Sequence, residues 1–526
     1  MKTSTQKEPH EGHQEGHQEG HQEGHREDHH DDHHDTDGGA DRKAPGRASR
    51  IKELAALLAC AALRGGLLFS ADHPWHLWYL GAVALIPFFY GMIRWSRGWL
   101  DSCGAALFLG AFYVIPLSIY LEFPFLMGAG LAVYLIFLWG LFGAAFHLVG
   151  RWPAPWNVPA VAGAMVLIEW FDFTVVPVWG TAQSFTRTWS AAPWSIQIVE
   201  LTGVLGVVFL VVSLSMGVAA LLAPSEDGRK HLVTVLLLLA VASAGNGLPQ
   251  LRTTKKGPKV AAMGWTEADV DGPAYSRNTY RIYEGLFLPL FRRAVATGAQ
   301  LIVAPEMTFV IRKAQRRRLF ERLRELARTH RVTLVVGYIL ADEKENRAVY
   351  FGPKGKILAD YQKTHLVPYV EKLNPGPGKI APVSLRLKGA GTDTRPLKLG
   401  VMICQDDNFT DVARAYGRVG TQIMAVPTND WRQVKDHHFE NSLFRAVENR
   451  YAIVRAATNG ISALVSPRGR VLARADHFEK GPTVIAARLP VMSPSATLYS
   501  LAGDWPAALC AALLVVGFVV FRRRQE

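Results

Sequence analysis

The chain has 526 residues, long enough for two domains and a tail. Hydrophobic residues make up 49% and charged residues 20%, a mixture that points to a membrane part joined to a water-soluble part. The net charge of +13 does not make it a nucleic-acid binder, because no recognition motif accompanies the basic residues.

Residues 1–45 are low-complexity: Glu-Gly-His-Gln recurs from Glu11 to Gln22 and leads into His29-His30-Asp31-Asp32-His33-His34. With no apolar face to bury, this His-rich tail is expected to be disordered. Imidazoles beside carboxylates attract metals, but irregular ligands with nothing packed behind them make a poor specific site. The tail has no charged start running into an apolar core, so it does not read as a secretory signal.

Residues 51–250 alternate long apolar stretches with short polar breaks and predict a membrane domain of about seven helices. The spans fall near 52–70, 75–93, 100–121, 124–148, 156–172, 195–222 and 231–248, most approaching the ~20 residues that cross a bilayer. An eighth lies at 505–521. With the tail in the cytoplasm, the inner loops hold Arg94, Arg97, Arg151, Arg229 and Lys230, and the carboxyl end holds Arg522-Arg523-Arg524. The outer loops hold Asp72, Glu122 and a longer segment whose only cation is Arg187. Positive charge then falls inside throughout, so residues 258–492 face the periplasm and both termini are cytoplasmic.

Residues 258–492 read as alternating strands and helices, a layered α/β domain. Strands are predicted at 259–263, 301–304, 332–337, 348–351, 399–403 and 421–426, amphipathic helices at 314–330 and 436–449, and hairpin turns at 351–356 and 466–470. Three apolar runs end in reactive side chains: Leu301–Pro305 delivers Glu306, Ile357–Gln362 delivers Lys363, and Leu397–Ile403 delivers Cys404. Base, cation and nucleophile are the parts acyl-transfer chemistry needs, since a thiol must become thiolate and the attacked carbonyl develops an oxyanion. Of the four cysteines, Cys60, Cys103 and Cys510 lie in apolar segments, leaving Cys404 as the one thiol of the soluble part. Their spacing predicts neither a disulfide framework nor a metal site. His365 reads as structural, holding the loop around Lys363.

Ala304-Pro305-Glu306, Tyr361–Pro368 and Ile403-Cys404 resemble the Glu-Lys-Cys motifs of the nitrilase, or carbon–nitrogen hydrolase, superfamily. Thr428-Asn429-Asp430-Trp431, Phe444–Arg450 and Ala456–Ser462 narrow the resemblance to bacterial apolipoprotein N-acyltransferases, over residues 51 to 521. The resemblance implies a polytopic α-helical membrane domain carrying a nitrilase-like α-β-β-α sandwich. It implies transfer of a fatty acyl group from a phospholipid to the amino-terminal amine of a diacylated lipoprotein, with no cofactor. It also implies two supporting carboxylates, Glu371 and Asp406. The chain departs from the family at Val370, usually Gly, and at Gln405-Asp406, usually Tyr-Glu. A membrane-tethered amidase or nitrilase, and a non-catalytic scaffold with a metal-binding tail, are the alternatives.

Overall fold

Long runs without charge cannot leave backbone groups unpaired in lipid, so residues up to about 250 fold as helices. The computed structural model describes residues 47–72, 75–176, 178–270, 279–387 and 396–522. The His-rich tail and Arg523-Arg524 lie outside the described residues.

Among the described residues, five helices are long and apolar enough to cross a membrane: Arg47–Asp72, Trp99–Tyr120, Phe125–Val149, Val204–Leu222 and Gly228–Gln250. Leu80–Trp95 and Trp505–Phe521 are shorter apolar helices. Asn157–Thr174 stands at the predicted fifth span and buries Glu169 and Asp172. Outward-facing Ile119, Leu126, Val133 and Leu237 are each more than 60% exposed, as side chains are that meet lipid rather than protein.

Two predicted spans are corrected. The segment predicted as one helix at 195–222 breaks into Val199–Thr202 and Val204–Leu222, because Gly203 takes φ +65°. A Cβ at Gly203 would lie 2.3 Å from the Tyr499 ring, so a close contact as well as the turn requires glycine. The second span begins at Leu80 rather than residue 75 and splits into Leu80–Val83 and Leu85–Trp95. The longer outer segment is not a solvated loop: it folds into three short 3₁₀ helices, Gly180–Gln183, Arg187–Ala191 and Pro193–Ser195, and Arg187 within it is buried.

The second half forms two sheets face to face. The first has the order β13-β1-β2-β4-β5-β6, with β3 beside β4. Its strands are β1 (Lys255–Gly264), β2 (Leu301–Val303), β3 (Phe309–Ile311), β4 (Thr333–Leu340), β5 (Glu345–Phe351), β6 (Ile357–Gln362) and β13 (Thr483–Val491). The second runs β12-β11-β10-β9-β8-β7, from β7 (Val383–Leu385), β8 (Leu397–Val401), β9 (Ile423–Asn429), β10 (Ala452–Thr458), β11 (Ile461–Val465) and β12 (Val471–Asp476). Alternation along the strands builds the layers. Val260 and Ala262 of β1 join Leu399, Val401 and Ile423 between the sheets, while Ala261 and Met263 turn outward to the helices packed on β1. Met402, Met424 and Val426 pack outward against Phe439 and Leu443 of the helix Lys435–Asn449. The result is the α-β-β-α sandwich, with both predicted hairpin turns joining antiparallel strands.

The described residues from 49 onward form one compact unit. The Phe444–Arg450 motif explains much of that unity. Arg445 and Glu448 are both fully buried and paired at 3.0 Å. Arg445 Nη2 also donates to Thr181 Oγ1 at 3.1 Å, and Arg450 pairs with Glu200 at 3.2 Å, both partners belonging to the 3₁₀-rich outer segment and its neighbouring short helix.

Candidate active site

Glu306, Lys363 and Cys404 each follow a strand, β2, β6 and β8 respectively, and the two sheets bring those ends together. All three are buried, at 2%, 1% and 5% exposure. Lys363 Nζ lies 2.9 Å from Glu306 Oε1 and 2.8 Å from Glu371 Oε2, so it is held between two carboxylates. Asn346, which sequence reasoning missed, donates Nδ2 to Glu306 at 2.7 Å and to Glu371 at 3.2 Å. One amide inside a β-strand gives no local signal of that bridge.

Burial, the largest influence on Glu306, raises its carboxyl above the ordinary range despite Lys363. Burial pushes the Lys363 ammonium down, but Glu306 and Glu371 outweigh it and hold the lysine well above its usual value. Burial pushes the Cys404 thiol well up and Glu306 adds to this, while Lys363 works against both. The resting arrangement therefore stores a thiol, a lysine cation and a carboxyl whose proton affinity is suited to a base.

Cys404 opens a 3₁₀ turn, Cys404–Asn408, at φ +47°, and its thiol donates to the Asn429 carbonyl at 3.5 Å. A side chain in that left-handed region costs about 1–2 kcal/mol, so the turn must be held from outside. Asp406 does much of the holding. Its Oδ2 accepts from Tyr361 Oη at 2.8 Å and Ile403 N at 3.0 Å, and its Oδ1 accepts from Thr364 N at 3.1 Å and His365 N at 2.7 Å. With four donors on two oxygens, this carboxylate ties the lysine strand to the cysteine turn and is not presented as a proton acceptor. Glu371 keeps its contact with the lysine. His365 stacks on Phe409 with ring centroids 3.9 Å apart and lies 2.9 Å from Asp411, a supporting position. Gln405 is buried and borders the cavity beside Cys404; its Nε2 donates to the Val178 carbonyl of the membrane part at 3.4 Å.

Cys404 also borders a cavity that passes between Trp99–Tyr120 and Phe125–Val149, with Leu117, Leu121 and Leu135 on its apolar side. Its aromatic surface is Phe123 stacked on Trp179 at 5.3 Å, and Trp431, whose Nε1 donates to the Leu121 carbonyl at 3.2 Å. Arg187 lies at the edge, paired with Asp72 and, at 2.8 Å, with Glu440. Trp431 was visible in a motif; Trp179 and Arg187 were not, because the partners that place them, Phe123 and Trp431 for one and Asp72 and Glu440 for the other, are distant in the chain.

Cys404, Asp430 and His438 place a sulfur, an oxygen and a ring nitrogen within 4.8 Å of one another. Both His438 nitrogens are already engaged, one 2.6 Å from Asp430 and one 3.0 Å from the Cys404 carbonyl. The trio is thus a hydrogen-bonded chain rather than an open metal site.

The sandwich with Glu306, Lys363 and Cys404 buried together defines the nitrilase-like class, and residues 271–493 match the family described as carbon-nitrogen hydrolase. Residues 64–217 match the apolipoprotein N-acyltransferase N-terminal domain. The chain is 30% identical to the apolipoprotein N-acyltransferase of Geobacter metallireducens over 63% of its own length and 68% of the relative's. It is 29% identical to that of Gloeobacter violaceus over 86% and 87%. A solved amidase from Nesterenkonia sp. aligns at 23% identity over 48% of this chain and 98% of that one, with a TM-score of 0.38. The chain belongs to the apolipoprotein N-acyltransferase family. It is a multi-pass membrane acyltransferase, and neither the hydrolase nor the scaffold alternative is favoured.

Proposed function

We propose that this chain transfers a fatty acyl group from a phospholipid to the amino-terminal amine of an S-diacylglyceryl-cysteine apolipoprotein, the last step of lipoprotein maturation. The observation that carries this reading is the apolar cavity running from Cys404 between two membrane helices, where a lipid acyl chain can lie with its ester at the sulfur. Glu306 takes the thiol proton and Cys404 Sγ attacks the ester carbon, forming the C–S bond. Lys363 stabilises the oxyanion, a role its ammonium can fill at any working pH. Collapse breaks the ester C–O bond, and the proton on Glu306 passes to the departing lysophospholipid oxygen. The acceptor amine then attacks the thioester, the C–N bond forms, the C–S bond breaks, and Glu306, with Glu371 steadying Lys363, takes the amine proton. Asp406 positions the turn. None of these steps calls on a cofactor.

The membrane part comprises residues 51–250 and 505–521, and the catalytic part 258–492, which faces the periplasm of the inner membrane. The distribution of Arg94, Arg97, Arg151, Arg229 and Lys230 against Asp72 and Glu122 supports that orientation. Purified enzyme given phospholipid and a diacylated lipopeptide should yield the N-acylated peptide and lysophospholipid. Free fatty acid in place of the amide would overturn the reading.

A further inference from the structure

One imidazole beside the nucleophile has an acceptor on each side. His438 stands on the helix Lys435–Asn449 and is 4% exposed. Its Nδ1 lies 2.6 Å from Asp430 Oδ1, and its Nε2 lies 3.0 Å from the carbonyl oxygen of Cys404. A carbonyl oxygen only accepts, and so does an ionised carboxylate. Burial works against ionisation of Asp430, but His438 and Arg455 together hold its carboxyl below the ordinary range. Arg455 Nη2 donates to the second Asp430 oxygen at 2.9 Å. A neutral ring has one N–H and could serve only one of its two partners, whereas an imidazolium serves both.

The partner on the nucleophile side is the carbonyl of the residue held at φ +47°. The support behind it is buried and hydrogen-bonded. Arg455 is fully buried, donates Nη1 to Ser442 Oγ at 3.1 Å, and lies 3.5 Å from Asp407 within the cysteine turn. Asp430 N–H donates to the Thr458 carbonyl at 3.0 Å. A Cβ on Gly460 would come within 2.5 Å of Asp430 Oδ2, so the carboxylate is closely walled. The chain Arg455–Asp430–His438–Cys404 thus links β10, the loop after β9, the helix and the nucleophile turn without a gap.

We propose that His438 acts as a buried imidazolium that positions Cys404, holding its carbonyl in the strained turn and favouring the thiolate by its charge. The inference rests on Cys404 being the nucleophile. The charged and titratable groups about the ring are Asp430, with Arg455 behind it, Cys404 with Lys363 and Glu306 beyond, and His437, its neighbour on the same helix. Lys363 serves the oxyanion, while His438 serves the sulfur through the backbone, so the two cations divide the work. His438 is a positioning residue, because it touches the backbone of the nucleophile and no reacting atom.

The test compares His438→Gln and His438→Phe in the full-length enzyme in detergent. The first keeps an N–H donor for the carbonyl and removes the charge; the second removes both. The pH dependence of Cys404 alkylation by iodoacetamide is read on the Cys404 peptide by mass spectrometry, beside the rate of acyl loading from phospholipid alone. In His438→Gln the alkylation profile should move to higher pH, with loading at neutral pH falling about tenfold, the effect of one pH unit. His438→Phe should lose more than His438→Gln. If His438→Gln loads poorly with an unmoved alkylation profile, the ring is merely structural and the proposal fails; wild-type behaviour in both assays overturns it equally. Should His438→Phe not accumulate, the His438→Gln profile decides alone. Alkylation needs no acyl donor, so absence of loading in the unaltered enzyme would sink the nucleophile assignment and leave the His438 measurement intact.

Discussion

Gly180, in the outer segment of the membrane part, sits against the Asn408 carbonyl of the turn that carries Cys404, so closely that a Cβ would lie 2.3 Å from that oxygen. Its φ of +54° is also one that side chains avoid. The contact joins the membrane part to the end of the Cys404 turn, with Thr181 adding a hydrogen bond to the same carbonyl at 3.2 Å.

Gly180→Ala should therefore displace the turn. Acyl transfer should drop by tenfold or more, about 1.4 kcal/mol or above, while the protein still accumulates in the membrane. Transfer assays on equal amounts of membrane-embedded variant and parent check this, and an unchanged rate would show that the contact can relax harmlessly.

Cys404→Ser should abolish transfer and leave membrane insertion intact. A hydroxyl ionises far less readily than a thiol, and the imidazole nearby is hydrogen-bonded to Asp430 and a backbone carbonyl instead of to the nucleophile. Substantial turnover by the purified variant would remove Cys404 from its role.

The rate of acyl loading should rise with pH through a value above the ordinary carboxylate range. The base role proposed for Glu306 requires its ionised form, and burial raises its carboxyl. Asn346 donates to the charged form and so lowers that value. Asn346→Ala should shift the rising limb to higher pH and cut loading at neutral pH by roughly tenfold, about one pH unit. A shift toward lower pH would contradict the assignment of Glu306 as base.

Arg445→Ala should destabilise by about 3–5 kcal/mol, because Glu448 is left buried without its partner. Arg445→Met with Glu448→Leu should recover a large part of the loss. Thermal unfolding of the detergent-solubilised variants checks the order, and a double variant no more stable than the single one would show that the pair holds more than its own charge.

The order of the catalytic motifs and the apolar runs was legible in the sequence because both are local. Leu301–Pro305 before Glu306 and Leu397–Ile403 before Cys404 announce strands that end in a site. The outer segment was not legible: Arg187 looks like a loop cation until Asp72 and Glu440, 115 and 253 positions away, are brought against it. Asp406 reads from the sequence only as a supporting carboxylate; how it holds the turn was not legible, because its four hydrogen-bond donors come from Tyr361, Ile403, Thr364 and His365, three of them from across a chain turn no spacing reveals. Gly203 gave no periodic sign that it would break an otherwise continuous apolar run.

The account stands most directly on the thioester. Enzyme incubated with phospholipid alone should gain the mass of one acyl group on Cys404, released by neutral hydroxylamine. A lipopeptide with a free α-amine should then discharge it into an amide, and an N-acetylated lipopeptide should leave it in place. No adduct on a folded preparation, or prompt loss to free fatty acid at a rate the acceptor does not change, would contradict the account.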